Sequence, residues 1–238
     1  MSKFFEIDFM ISVIPEILTC LPITLALAFI SSMFGLIIAL GIALIRYFHV
    51  RILEQISKVY VSFIRGTPTL VQLFLVYYGS PIVLQAINEQ FGTNININGI
   101  PTVLFAAVAF SFNAGAYMSE TIRGAMLSVD AGQLEACYSV NMTTWQALYL
   151  VIIPQAFTVA LPPLGNSFIS MVKETSLAFS ISVIEIMAKS KLIGARSFRF
   201  FEVYIVVSLI YWGCCIVIEQ ILAIIEKRTR KYERAVAK

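Results

Sequence analysis

Five apolar runs divide the chain, at about 19–45, 59–84, 101–122, 150–172 and 203–225. Each matches the roughly 20 residues that a helix needs to cross a bilayer. In the first, Gly35 and Gly41 suit close helix contact, and Pro15 and Pro22 lie near its start, where proline is tolerated. The second is interrupted by Arg65-Gly66-Thr67-Pro68. Between the runs, Asn88 to Gly99 has no Lys or Arg and reads as an external loop. Residues 173–200 are polar but include the partly apolar Leu177 to Met187, which reads as a short re-entrant or interfacial helix. The pattern predicts an all-α, polytopic membrane protein with five spans.

The one long polar interruption on the opposite side is residues 130–155, DAGQLEACYSVNMTTWQALYLVIIPQ. It reads as two short helices with a turn between them. Asp130 is placed to N-cap the first, with Gln133 reaching back from the third position. Asn141 falls where the helix would end in a left-handed residue, a conformation that only Gly and Asn adopt readily. Thr143 and Gln146 form the second capping box. Trp145, Leu148, Tyr149 and Ile152 then form an apolar face at helical spacing. A compact helical elbow of this kind suits docking into a groove on a soluble partner.

Composition sharpens this picture. The 238 residues are 59% hydrophobic and 13% charged, far too apolar for a soluble domain. A net charge of +3 is too small to suggest nucleic-acid binding, so the positive residues are topology signals. Lys227, Arg228, Arg230, Lys231, Arg234 and Lys238 put the tail, 226–238, inside. Five spans then put the N-terminus outside, and the loop 46–58 and the elbow inside. The five cations Lys173, Lys189, Lys191, Arg196 and Arg199 run against this scheme, because they fall on the outer side. The N-terminus lacks the pattern of a cleavable signal peptide, so the first run reads as a retained span. The four cysteines, Cys20, Cys137, Cys214 and Cys215, have no metal-ligand spacing and read as packing residues. His49 is the single histidine, which leaves no basis for a metal or His-based catalytic centre.

Several motifs carry a resemblance to a known family. Glu135-Ala136-Cys137, then Asn141, then Ile153-Pro154-Gln155-Ala156 resembles the EAA loop of ABC importer permeases. Arg65-Gly66-Thr67-Pro68, Gly115-Ala116-Tyr117 through Glu120-Thr121-Ile122-Arg123-Gly124, Leu161-Pro162-Pro163-Leu164-Gly165-Asn166 and Lys173-Glu174-Thr175-Ser176-Leu177 are similar to its polar amino acid branch. Cys137 replaces the usual second Ala and Asn141 the usual Gly. The resemblance covers 15–225 and implies the type I importer permease fold in a bacterial cell membrane. It further implies that the elbow is a coupling helix seated in a cytoplasmic ATPase, with Glu135, Ala136, Cys137, Asn141 and Trp145 as its coupling residues. Two ATPase copies, a second permease (self or homologue) and an extracytoplasmic solute-binding protein follow as expected partners.

Polar groups inside spans are costly and face bundle interiors. Asn113, Tyr117 and Glu120 share one face of the third span, and Asn166, Ser170 and Lys173 one face of the fourth. Asn113 and Asn166 both lie about 12 residues in, near mid-membrane at 1.5 Å per residue. Two such stripes at one depth suggest a path for a polar solute, with Gln72 as a further candidate; interhelical hydrogen bonding is the competing structural reading. Arg65, Gly66 and Pro68 would kink the inner third of the second span, with Arg65 either paired to Glu120 or snorkelling to the interface. Glu120 and Arg123, three apart, are placed for a local ion pair.

No GxxxxGK[ST] phosphate loop occurs, so the chain is expected to bind no nucleotide, and ATP and Mg belong to the partner ATPase. HExxH and GxSxG are also missing, which leaves an intramembrane enzyme without support. The competing reading is an ATP-independent secondary transporter or channel, which would leave the elbow without a purpose. A polar amino acid is the implied solute, and Tyr77-Tyr78-Gly79 and Ser208 to Trp212 resemble members that handle cystine.

Overall fold

The computed structural model describes residues 6–96 and 99–236, with side chains described as far as Thr229. Lys238 and part of the 88–99 loop therefore lie outside the described residues, as do the side chains of Arg230, Lys231 and Arg234. The described chain is helical: α1 Ile7–Leu18, α2 Leu21–Tyr47, α3 Arg51–Gly66, α4 Thr69–Phe91, α5 Thr102–Leu127, α6 Ala131–Ser139, α7 Thr144–Ala147, α8 Ile153–Glu174, α9 Ile186–Ser197 and α10 Phe200–Val236. A π turn, Leu148–Ile152, joins α7 to α8, and a 3₁₀ turn, Thr175–Ile181, extends α8. Five helical stretches among the described residues are long and apolar enough to cross a membrane: Leu21–Tyr47, Thr69–Phe91, Thr102–Leu127, Thr144–Ile181 and Phe200–Thr229.

The second span differs from the sequence expectation. It begins at Thr69, and residues 59–66 belong to a separate helix, α3. Ile52, Ile56, Val59 and Phe63 recur on one exposed face of α3, the pattern of a helix lying in an interface rather than crossing it. Arg65-Gly66-Thr67-Pro68 is thus a break between two helices and not a kink within one. Thr67 is extended (φ −122°, ψ 146°), as the residue before proline prefers, and Pro68 caps α4.

Helix α5 is the centre of the bundle, packed on by α2, α4 and α8. Its seam with α2 is built from small residues: Ala28, Ser31, Gly35 and Ala39 against Ala106, Ala114 and Gly115. A Cβ on Gly35 would sit 2.5 Å from Ala114 Cβ, and one on Gly115 2.7 Å from Ile38. Gly41 does not share this role, since its Cβ position is open. In hydrocarbon there is little hydrophobic drive between helices, so such close packing is what holds the seam.

At the end opposite the elbow, which the charge scheme puts outside, α1, α9 and the start of α10 enclose a second apolar cluster of Val13, Ile17, Ile186, Ile193, Val203 and Val206. Residues 7–18 are a separate helix ahead of the first span, shorter than a span and not evident from the apolar runs. Its acids engage the outer cations that run against the charge rule. Glu16 takes Lys189 (3.1 Å) and Arg196, and Glu6 takes Arg199. Lys191 lies 3.5 Å over the Phe179 ring. Glu185, fully buried, caps α9 by accepting from Met187 (2.9 Å) and Ala188 (2.8 Å), while the Tyr211 hydroxyl donates to it at 3.0 Å. Burial pushes the Glu185 carboxyl up, and these donors pull it back.

Candidate functional site: a polar groove and a helical elbow

Between α5 and α8 lies a cavity of about 360 Å³. Asn113, Tyr117, Asn166 and Ser170, the pathway candidates, line it together, joined by Glu174. Tyr117, Asn166 and Ser170 are exposed, so the groove is open on one side of this chain. The α8 stripe runs 166, 170, 174 rather than ending at Lys173, which points away and is exposed. The spacing is ordinary: Glu174 is still within α8 and four residues past Ser170, so it falls on the same helical face. One Glu174 carboxylate oxygen is buried without a hydrogen-bond partner. Such an oxygen costs free energy unless a donor supplies the bond.

Gln72 does not line this cavity. Its amide NH₂ donates to the carbonyls of Ile64 (2.7 Å) and Thr67 (2.9 Å), satisfying backbone acceptors left open by the helix break. Its carbonyl accepts from Asn113 at 3.0 Å. Gln72 therefore ties the break to the wall of the groove and fixes the Asn113 amide.

A second cavity, about 440 Å³, opens toward the elbow end between α2, α3 and α5, lined by Arg46, Lys58, Arg65, Gly66, Tyr117 and Glu120. Glu120 is bonded to Arg46 of α2 and to Arg123 (2.9 Å). The expected pair with Arg65 is not formed. Arg65 instead sits 5.6 Å from the Tyr117 ring centroid, a cation–π contact. Arg46 is separated from Glu120 by 74 positions, so nothing local in the sequence could have revealed it.

The elbow follows α5. Asp130 caps α6 by accepting from Gly132 at 2.6 Å, and the reciprocal bond from Gln133 is not made. Asn141 is left-handed (φ 63°), with its N–H bonded to the Tyr138 carbonyl (2.9 Å) and the Met142 N–H to Cys137 (3.0 Å). This is a Schellman cap. Thr143 and Gln146 close a full capping box on α7. The expected apolar face divides in two. Leu148 and Ile152 are 1% and 2% exposed, whereas Trp145 and Tyr149 are 72% and 74% exposed. A π turn advances more residues per turn than an α-helix, so side chains that α spacing would align are split between core and surface. Ala136, Tyr138, Val140 and Trp145 are exposed, as is Glu135, and Cys137 is turned inward. Among the described residues Glu135 has no ion pair, and no group of His, Cys, Asp and Glu could hold a metal.

Residues 31–231 match the family of binding-protein-dependent transport system inner membrane components. The chain is 42% identical to the probable amino-acid ABC transporter permease protein PatM of Vibrio harveyi, over 95% of this chain and 97% of that one. It is 44% identical to the L-cystine transport system permease protein TcyB of Bacillus subtilis, over 88% and 84%. A crystal structure of an amino acid ABC transporter with histidines superposes with a TM-score of 0.80 at 34% identity, over 94% of this chain and 99% of that one. An inward-facing MetNI methionine ABC transporter shares the fold at 17% identity, with a TM-score of 0.69 over 90% and 95%.

Proposed function

Because the chain belongs to the binding-protein-dependent transport system inner membrane components, and is an amino-acid ABC transporter permease subunit, we propose that it carries a polar amino acid inward along the α5–α8 groove, driven by ATP hydrolysis on a separate subunit. The observation that carries this reading is the groove itself. It places amides, hydroxyls and one unpartnered carboxylate oxygen along spans that are otherwise apolar. Polar groups at that depth mark solute paths. Glu174 offers a charge-assisted bond to an ammonium group, and Asn113, Asn166 and Ser170 offer neutral ones.

The groove is open on one side, and five spans do not close it. A second permease, identical or homologous, completes the enclosure in this reading, because exposed amides facing hydrocarbon would be unsatisfied. The elbow seats in a cytoplasmic ATPase through Glu135, Ala136, Asn141 and Trp145, with Cys137 packing it from within. Two ATPase copies, one per permease, bind the ATP and Mg, and this chain binds neither. A solute-binding protein delivers the amino acid at the outer face. The N-terminus is outside and the C-terminus inside, an orientation supported by Lys227 and Arg228 at the inner end of α10.

Cystine is the favoured solute, supported by the names of the TcyB and TcyL relatives. Tyr77 and Tyr211, from the stretches that resemble cystine carriers, face Phe105 and Glu185 rather than the groove, so they act on the frame and not on the solute.

Affinity purification of the chain from its native membrane, with mass spectrometry of its companions, tests the reading. Recovery of a phosphate-loop ATPase that is lost on deleting 130–147 supports it. Recovery of the intact chain alone, from membranes where transport persists without ATP, would favour an ATP-independent carrier and overturn it.

A further inference from the structure

The groove and the inner cavity share one residue, Tyr117, and lie on one face of α5. Asn113, Tyr117 and Glu120 follow one another at helical spacing, about 1.5 Å per residue, so the inner cavity continues the groove toward the cytoplasmic end. The two differ in charge. The groove carries one carboxylate and no cation among its lining residues. The inner cavity carries Arg46, Lys58 and Arg65 against Glu120.

Two of those three cations are already matched. Arg46 shares Glu120 with Arg123, and Lys58 is bonded to Glu54 at 2.6 Å. Arg65 forms no ion pair among the described residues, and its guanidinium is held only by the Tyr117 face. A guanidinium stacked on a ring keeps its edge donors free, and those donors fit a carboxylate in a two-bond fork. The helix break fixes where the group stands. Arg65 stands in the last turn of α3, and Gln72 bonds the Ile64 and Thr67 carbonyls on either side of it.

We propose that Arg65 is a carboxylate-binding station in the inner cavity, receiving the α-carboxylate of the amino acid as it leaves the groove past Tyr117. The track is then ordered: an acid for the ammonium end comes first, and a free guanidinium for the carboxylate end follows. The selected class is α-amino acids with a free carboxylate, and C-terminal amides are rejected at this step. This inference rests on the amino acid pathway proposed above.

Equilibrium binding to the purified permease–ATPase complex, free of nucleotide and of binding protein, tests it with radiolabelled L-arginine, L-glutamine and L-cystine and their C-terminal amides as probes. The wild-type complex is expected to prefer at least one acid over its amide by roughly tenfold, the factor that 1.4 kcal/mol produces. In Arg65→Gln that ratio falls to near unity, and in Arg65→Lys part of it is retained. A role confined to holding the helix break would weaken acid and amide equally and leave the ratio unchanged, which overturns the proposal. A ratio unchanged in Arg65→Gln, together with loss of a dependence on phosphatidylglycerol in the reconstituted membrane, would assign Arg65 to a lipid phosphate instead. If the wild-type complex binds none of the acids, the pathway reading fails and this inference with it. If the acids bind and Arg65→Gln keeps the ratio, this inference alone fails.

Discussion

The elbow and the outer corner are both short helices outside the spans, yet they are held in opposite ways. The elbow is tied by bonds between near neighbours: Asp130 to Gly132, Asn141 to Tyr138, Met142 to Cys137, Thr143 to Gln146. It leaves Tyr138, Val140 and Trp145 uncovered. The outer corner is tied across the chain. Glu16 reaches Lys189 and Arg196, Glu6 reaches Arg199, and Val13 and Ile17 pack against Ile186 and Val203. A piece that keeps its own shape can move as a unit and still present the same surface. A piece held by distant partners is fixed relative to them. The contrast fits an elbow that docks and moves against a corner that keeps the outer ends of α1, α9 and α10 together.

The largest expected effect is at the elbow surface. Glu135→Lys should abolish uptake and the recovery of the ATPase, while the chain remains inserted and folded, read by membrane fractionation and thermal unfolding in detergent. Retained uptake would sink the docking role. Asn141→Val should come next, since a branched residue in the left-handed region costs about 1–2 kcal/mol. Uptake should fall several-fold, and Asn141→Gly should keep it. Thr143→Ala removes the second cap, worth about 1 kcal/mol. It should weaken ATPase recovery without changing the melting of the spans.

The smallest effect belongs to the outer corner. Arg196 and then Lys189 hold the Glu16 carboxyl below the usual carboxylate range. A lowered folded value means the pair contributes above the ordinary carboxylate pKa, and the contribution disappears as pH falls through the lowered one. Glu16→Gln should therefore melt slightly below wild type at neutral pH, and the two curves should converge in acid. No gap at neutral pH would show that the corner is held by its apolar cluster alone, and a gap that persists in acid would show that Glu16 acts through something other than its charge.

The same contrast governs what could be seen in the sequence. Four of the five spans were legible to within a few residues at most ends, although helical structure carries the fourth on to Ile181, because each is a long apolar run set by bilayer thickness. The caps at Asp130, Asn141 and Thr143 were legible because a cap is decided within three or four residues. The start of the second span was missed, since the apolar positions of Val59 to Ile64 divide between an exposed face (Val59, Phe63) and a buried one (Val61, Ile64) of a separate helix and only resemble a continuous run. The Arg46 partner of Glu120 and the acids that take the outer cations were not legible, because they depend on residues 74 to 193 positions apart, whereas the Arg123 partner, three residues away, was. In the groove, Asn113, Tyr117, Asn166 and Ser170 were found by periodicity. The same i, i+4 spacing leads on to Glu174, which was passed over for Lys173, three residues past Ser170, and Gln72 proved to brace the wall rather than form it.

One feature of the inner end acts beyond its own turn. The π turn Leu148–Ile152 stands between the elbow and α8, just before Pro154, whose missing N–H leaves the Leu150 carbonyl without its usual helical donor. From there α8 runs about 32 Å to Glu174, at 1.5 Å per residue. In mechanical terms it is a rod with two compliant points, the π turn at its start and the Pro162-Pro163 pair midway, where two more helical donors are missing. A push on the elbow would be taken up partly as twist at these two points, and the remainder would arrive at Asn166 and Glu174 as rotation of the segment beyond Pro163. Turning α8 by one residue's worth, about 100°, is not required; a small fraction would swing Glu174 out of line with Asn113 and unload whatever it holds.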